Sequence, residues 1–490
     1  MRDEIVAGSA AAGQERPQAE VPASGGSRSR ENTNMQPMEA QETWSSRLVF
    51  IMAAVGAAVG LGNLWKFPYT AGVSGGAAFV IVYIGAIVVV AVPIVMAELL
   101  IGRRGRRSPP GSFARLAEQA GAKRAWSLVG VLNIVAVFMI LSFYSVIAGW
   151  ALAYVPKLAS GLFTGVENAV VTREFESLLA APATLAFWHF VFIALTVVIV
   201  VRGIQQGIEK AVKFLMPALF AMLLMLVGYA AVEGDMASAV NFLFQADFSK
   251  IDADVVLMAI GQAFFSVSVA MGLLIAYGSY LPADINIPRA SLLIAGADTL
   301  VALLAGLAIF PLVFANGLDP AEGPGLIFIT LPIAFGHMPG GAIFGTLFFL
   351  LLIVSALTSS IAILEPVVAW ADEHRGVSRR ISTPIAGALA WLVGMTTVFS
   401  FNLWGDWHPL GGFETFAGKT LFDVQDYLTS NVMLPLGGVL ISVFVGWVMT
   451  AESTREELGL APGGAFAAWR FLVRYVCPVA VAAVLIASAT

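Results

Sequence analysis

Residues 53–69 read AAVGAAVGLGNLWKFPY, an apolar run long enough to begin a bilayer crossing yet interrupted by Gly56, Gly60 and Gly62 and followed at once by Asn63 and Lys66. Unpaired backbone and charged side chains are both expensive in hydrocarbon. Two explanations compete here. Small residues four apart let helices pack closely, and Gly56 and Gly60 fit that pattern. Alternatively, the helix unwinds at its middle and a polar ligand binds the groups it frees.

Composition sets the solvent. The chain has 490 residues, 58% hydrophobic and 12% charged, with a mean hydropathy of +0.84. Soluble domains carry about a quarter charged residues, so this is an integral membrane protein. Apolar segments lie near 48–70, 76–101, 127–156, 184–201, 208–232, 252–281, 289–313, 338–371, 382–400, 422–449 and 467–488, eleven in all. Each approaches or exceeds the roughly 20 residues that a helix needs to cross a bilayer. Helices are expected because backbone facing lipid must pair within its own segment. Residues 1–42, rich in Ala, Gly, Ser, Pro and charge, predict a disordered tail. They hold no apolar run of the signal-peptide kind.

Lysine and arginine give the orientation. Arg47, Arg103, Arg104, Arg106, Arg107, Arg115, Lys123, Arg202, Lys210, Lys213, Arg289, Arg375, Arg379, Arg380, Arg455 and Arg470 fall on the side of the N-terminus, whereas the opposite side has Lys157, Arg173, Lys250 and Lys419. This bias predicts a multi-pass protein of the cell (inner) membrane, with its N-terminus cytoplasmic and, after eleven spans, its C-terminus outside. The net charge of -5 therefore says little about partners. The lone Cys477 excludes an internal disulfide and a cysteine-based metal site.

A second interruption decides between packing and binding. Span six, GQAFFSVSVAMGLLIAYGSY at 261–280, breaks around Ser266–Gly272, five helices after the first break. Broken helices at corresponding positions of two halves point to inverted repeats with a site at the bilayer midplane. The expected fold is an all-α membrane protein, an inverted five-plus-five helix repeat with broken helices 1 and 6, plus an eleventh helix. Repeat one covers about 43–235, repeat two about 250–450 and the extra helix about 467–488, all within a transporter domain at 43–490.

Freed carbonyls suit a cation, and half-helix N-termini suit a carboxylate. Span eight adds LLLIVSALTSSIAILEP at 350–366, where Ser355, Thr358 and Ser359 share one helix face. Three small oxygens form half a site for a hard cation, although each hydroxyl could instead bond its own i-4 carbonyl.

The runs GAAVGLGNLWKFPY (56–69), SGGAAF (74–79), RGIQQGIEKAVKFLMP (202–217), GQAFFSVSVAMG (261–272) and ALTSSIAILEP (356–366) resemble the neurotransmitter:sodium symporter family, bacterial branch, and the resemblance extends over 42–490. It implies two sodium ions. The first would use Ala58, Asn63, Ser266 and Asp298 with the substrate's carboxylate; the second would use the carbonyls of Gly56, Val59 and Ser355 and the hydroxyls of Thr358 and Ser359. The carboxylate would meet the Leu61 and Gly62 amides and the Tyr144 hydroxyl. The amino group would meet carbonyls of Ala58, Phe265, Ser266 and Ser268, and the side chain would sit among Ile140, Phe265, Met271, Ser359 and Ile363.

Amine-carrying members have an aspartate where this chain has Gly60, so the resemblance implies an amino-acid substrate. Met271, a yielding side chain where some relatives have Phe, favours a large hydrophobic or aromatic one. Lys66, with Asp426 as partner, stands where the family has its outer-gate arginine and lacks that residue's bidentate fork; it could also simply snorkel outwards. The inner-gate arginine expected three residues before Trp44 is Gln41, so Glu373, the usual acidic partner, needs another cation. Asp298 stands where many relatives have asparagine, and its charge predicts that chloride is not required. Gly207 and Pro217 have the spacing with which the family unwinds span five, though a proline kink is the simpler reading. Glu98 is expected to hydrogen-bond nearby backbone.

The expectation is a sodium-coupled symporter importing an amino acid by alternating access, the bundle of spans one, two, six and seven rocking against the rest. No nucleic acid or obligatory protein partner is expected. A transport-inactive amino-acid-sensing receptor of the same fold is the alternative, and Gln41 is its main support. An enzyme is not expected, because His189, His337, His374 and His408 are scattered and no nucleophile–base pairing appears.

Overall fold

The computed structural model describes residues 42–320 and 325–488. Gln41 and all but the last residue of the expected tail lie outside them. Every regular element among the described residues is helical. Among the described residues nine helices are long and apolar enough to cross a membrane: Ala77–Gly105, Arg124–Ala159, Pro182–Val200, Ile204–Glu233, Ile287–Ala315, Gly341–Arg375, Arg379–Ser400, Leu421–Val448 and Gly464–Ala487. These are spans two to five and seven to eleven. Span one is a pair, Arg47–Ala58 and Gly62–Val73, bent by 51°. Span six is Ala253–Ser266 and Leu273–Ser279 with non-helical chain between them.

Specific residues cause the two breaks. At the first, Val59 turns extended with ψ of 101°, and the Gly60 amide bonds the Asn63 side-chain oxygen at 3.1 Å rather than the Gly56 carbonyl four residues back. The break is thus shorter than the sequence suggests: Gly56 lies inside the helix Arg47–Ala58, and a wide π turn follows at Gly62–Lys66. At the second, Ser268 and Ala270 take left-handed φ values of 57° and 63°, conformations that cost on the order of 1–3 kcal/mol each and persist only where neighbours enforce them. Asn133 of span three supplies one such restraint, donating to the Ala270 carbonyl at 2.5 Å. Ser268 supplies another, donating to the Ala57 carbonyl of span one at 3.3 Å.

Span five differs from the unwinding that Gly207 and Pro217 suggest. A π turn at Ile204–Glu209 leads directly into the helix Lys210–Glu233, which contains Pro217. Gly207 is used for close approach instead: a Cβ there would lie 2.1 Å from the Ile199 carbonyl oxygen at the end of span four. Short helices at Pro109–Gln119, Asn168–Leu179, Met236–Phe244, Leu326–His337 and Ala451–Leu458 join the spans.

Aromatic side chains cluster around Phe328 of the short helix Leu326–His337. Phe328 stacks parallel to Phe175 at 5.4 Å and meets Trp150 and Tyr154 edge-on at 5.5 and 5.3 Å. The Tyr154 hydroxyl donates to the Phe328 carbonyl at 2.8 Å. Trp65, just past the first break, touches the same phenylalanine at 6.4 Å. Each such pair adds about 0.5–1.5 kcal/mol beyond its buried area.

Candidate functional site

The break in span one faces spans three, six, seven and eight, and three groups of residues meet there. The first surrounds Asp298 of span seven, which is fully buried. Asn63 donates through Nδ2 to Asp298 Oδ1 at 2.8 Å, to the Asp298 carbonyl at 3.1 Å and to Ser266 Oγ at 3.0 Å. Ser266 donates to Asp298 Oδ2 at 2.7 Å. Tyr83 of span two donates to Ser266 at 3.2 Å and reaches Asp298 Oδ2 at 3.5 Å. Gln262 donates to the Gly62 carbonyl at 3.1 Å, leaving its own buried Oε1 without a partner. Among the described residues no lysine or arginine pairs with Asp298. A buried carboxylate in a knot of hydroxyls and amides, with no protein cation, is chemically matched to a small cation. Rotating the Asn63 amide by half a turn would present its oxygen to the same point.

The second group joins span eight to the first break. Ser355 donates to the Val59 carbonyl at 3.3 Å, and Ser359 donates to the carbonyls of Val59 and Gly56 at 3.1 and 3.3 Å. These two hydroxyls therefore bridge between helices rather than bonding their own. Thr358 does bond its own helix, to the carbonyls of Val354 and Ser355 at 3.2 and 2.9 Å. It nevertheless packs on the break, since a Cβ at Gly56 would lie 3.1 Å from Thr358 Cβ and 2.8 Å from Met216 Sδ.

Between these groups is a cavity of about 30 Å³ lined by Ala58, Gly60, Leu61, Gly62, Ile140, Tyr144, Phe265, Ser266, Ser268, Met271, Ser359 and Ile363. That volume admits a water, so a larger occupant requires Phe265 and Met271 to re-rotate or the two broken helices to separate. The Leu61 amide and the Tyr144 hydroxyl face each other at 3.5 Å at one end; Ile140, Met271 and Ile363 make the other end apolar. Glu98 is fully buried beside the Ala270 and Gly272 amides, but neither carboxylate oxygen makes a hydrogen bond of good geometry.

The gate residues are placed differently from the sequence expectation. Lys66 puts its ammonium 4.1 Å from the centroid of the Phe265 ring, which is cation–π geometry. Among the described residues no ion pair within 4 Å joins it to Asp426, whose Oδ1 accepts from Ser430 at 2.9 Å. Lys66 also borders a separate cavity of about 70 Å³ between spans six, ten and eleven. Trp44 and Glu373 have different partners. Trp44 donates through Nε1 to the Tyr277 carbonyl at 3.0 Å and through its amide to the Tyr280 carbonyl at 3.2 Å. Glu373 accepts from the Ser108 amide at 2.6 Å and lies 3.8 Å from Arg107. Its cation comes from the loop after span two.

Tyr83, Gln262 and Asn133 are buried polar contributors that sequence reasoning missed. The available signal was a polar residue facing inwards in spans two, six and three, which in a membrane helix marks a functional interior.

Two helices broken at matched positions, with buried oxygen-rich clusters on both sides of an apolar cavity, define a secondary transporter. The pattern of the Sodium:neurotransmitter symporter family matches residues 41–164 and 171–490. A Bacillus subtilis protein described as the uncharacterized sodium-dependent transporter YhdH is 36% identical over 441 residues, covering 89% of this chain and 95% of its own. The crystal structure of MhsT in complex with L-phenylalanine aligns with a TM-score of 0.83 at 39% identity, over 92% of this chain and all of that one. The Drosophila melanogaster sodium- and chloride-dependent GABA transporter ine is 24% identical over 86% of this chain and 48% of its own. The chain belongs to the sodium:neurotransmitter symporter family and is a sodium-dependent, multi-pass membrane transporter.

Proposed function

We propose that this symporter imports amino acids with large hydrophobic or aromatic side chains, driven by two sodium ions. The observation that carries the reading is the space at Gly60. A Cβ there would lie 2.7 Å from Ser359 Oγ and 3.2 Å from the Tyr144 hydroxyl, so the protein supplies no carboxylate at that point and the ligand must bring its own. The Leu61 and Gly62 amides and Tyr144 would hold that carboxylate, and the carbonyls of Ala58, Phe265, Ser266 and Ser268 would hold the amino group. The phenylalanine named in the MhsT structure supports this substrate class. Asn63, Ser266, Asp298 and the Ala58 carbonyl would bind one sodium beside the substrate carboxylate; Gly56, Val59, Ser355, Thr358 and Ser359 would bind the other.

Transport would proceed by alternating access, with the face bearing Trp44 cytoplasmic. Lys66, near Asp426, would guard the outside, and Gly207 and Pro217 would flex span five. Each sodium entering down 100 mV contributes about 2.3 kcal/mol. Two give roughly 4.6 kcal/mol, enough for about a thousandfold accumulation before any sodium concentration gradient is counted.

Asp298 bears on chloride. Two sodium ions beside a ligand whose ammonium and carboxylate cancel leave an excess of positive charge, and a buried ionised Asp298 offsets one unit of it. Uptake should therefore be unchanged when gluconate replaces chloride, whereas Asp298→Ser should lose uptake in gluconate and regain part of it in chloride. Wild-type uptake that collapses without chloride would show that Asp298 does not play this part.

A further inference from the structure

Spans ten and eleven meet at the end of the molecule that also carries Trp44. The short helix Ala451–Leu458 joins them there, and its Glu457 pairs with Arg103 of span two, which also donates to the Ile285 carbonyl just past span six. Two arginines of span eleven lie at this junction, one helical turn apart. Arg470 is satisfied by the protein: it donates to the Gly446 and Met449 carbonyls at the end of span ten, both at 3.2 Å, and to the Thr454 hydroxyl at 3.0 Å. Arg474 has no such partners. Its guanidinium lies 3.9 Å from the centroid of the Trp447 ring and 5.5 Å from that of Tyr475, and its Nε is buried without a hydrogen bond. Among the described residues no carboxylate lies within 4 Å of either arginine. The side chain is nonetheless held in place. Gly446 admits its stem, since a Cβ there would lie 3.0 Å from Arg474 Cα and 3.4 Å from its Cγ, and the Trp447 indole donates to the Arg474 carbonyl at 3.1 Å. Around it Trp447, Phe471 and Tyr475 are each roughly half exposed, with Tyr475 touching the other two rings at 5.5 Å.

We propose that Arg474, stacked on Trp447, is a binding site for the phosphate of an anionic phospholipid on the face read above as cytoplasmic. An arginine within a membrane span needs a partner, because an uncompensated charge at that depth is costly. The Trp447 ring covers one side of the guanidinium and contributes only cation–π attraction, so the N–H edge still requires an acceptor from outside the chain. A phospholipid phosphate lies at the level where tryptophan and tyrosine gather, and it fits the planar fork of an arginine better than that of a lysine. The half-exposed rings of Phe471 and Tyr475 would then lie along the acyl chains. With Arg470 one turn away and no acid beside either arginine, the local field favours a headgroup that carries no cation of its own. Phosphatidylglycerol has that chemistry, and phosphatidylcholine does not.

The test counts lipids on the whole protein. Purified full-length chain in detergent is titrated with dioctanoyl phosphatidylglycerol or dioctanoyl phosphatidylcholine, and native mass spectrometry reads the fraction that retains a lipid. Phosphatidylglycerol should bind several-fold more tightly than phosphatidylcholine. Losing a hydrogen bond to a charged group shifts a binding constant by about tenfold or more, so Arg474→Gln should weaken phosphatidylglycerol by about that factor and Arg474→Lys by less. Trp447→Leu keeps the charge and removes its platform; it should weaken binding several-fold, and it remains informative where Arg474→Gln fails to fold. Arg289→Gln removes an exposed arginine at the start of span seven and should change nothing. Phosphatidylglycerol binding by Arg474→Gln within twofold of the parent overturns the proposal, as does equal affinity of the parent for the two lipids. An equal loss in Arg289→Gln would replace the site with diffuse attraction to a basic face. Displacement of the lipid by an equal concentration of inorganic phosphate would assign the site to free phosphate instead, and a dimer lost in Arg474→Gln with lipid binding unchanged would assign the surface to a second copy of this chain.

Discussion

Gly60→Asp is expected to lower sodium-dependent amino-acid affinity by at least a hundredfold. The new Cβ would start 2.7 Å from Ser359 Oγ, and its carboxylate would share the space claimed by the ligand's own. Two like charges about 4 Å apart repel by about 4 kcal/mol at an effective dielectric of 20, which corresponds to nearly a thousandfold in affinity. Gly60→Ala separates crowding from charge. Its methyl meets the end of a serine side chain that can rotate, so it should cost about tenfold. The aspartate variant should also gain affinity for the decarboxylated amine of the preferred substrate, whose missing charge it supplies. Scintillation proximity binding with purified protein measures all three, and unchanged amino-acid affinity in Gly60→Asp would place the ligand carboxylate elsewhere.

Ser355→Ala should raise the half-saturating sodium concentration by up to about tenfold, with amino-acid affinity nearly intact at saturating sodium. The Ser355 hydroxyl bonds the Val59 carbonyl at 3.3 Å from span eight and does not line the cavity, so its loss frees that sodium-binding carbonyl to move while the Ser355 carbonyl and the substrate contacts remain. A neutral hydrogen bond of this kind is worth about 0.5–1.5 kcal/mol. Ser355→Ala combined with Ser359→Ala removes both bridging hydroxyls and should cost up to about a hundredfold in sodium affinity. Thr358→Val is the discriminating companion. Its hydroxyl bonds the Val354 and Ser355 carbonyls of its own helix, so a silent substitution would reduce Thr358 to helix packing, and a tenfold rise in sodium demand would make it a ligand. Sodium titrations of binding at fixed amino acid read each case.

The breaks were legible because they are local. Gly60 and Asn63 lie three residues apart and Ser268 and Ala270 two, so chain order alone brings their chemistry together. Ser355 and Ser359 were legible as a helical face, although the face they touch was not. What stayed hidden was long-range pairing. Nothing in the order of residues reveals that Glu373 finds Arg107 or that Arg379 pairs with Glu365 through two bonds of 2.6 Å. Span five was legible only as a glycine and a proline ten residues beyond it; the close approach of Gly207 to the Ile199 carbonyl and the helix that continues through Pro217 were not.

Concentrative uptake into proteoliposomes tests the central claim most directly. Purified protein is reconstituted with a sodium-free interior, and entry of radiolabelled L-phenylalanine, L-tryptophan and L-leucine is followed on dilution into sodium buffer. The account predicts accumulation of at least one of them above the external concentration, collapsing when a sodium ionophore dissipates the gradient. Uptake indifferent to the gradient, or saturable sodium-dependent binding without entry of any of the three, would contradict it.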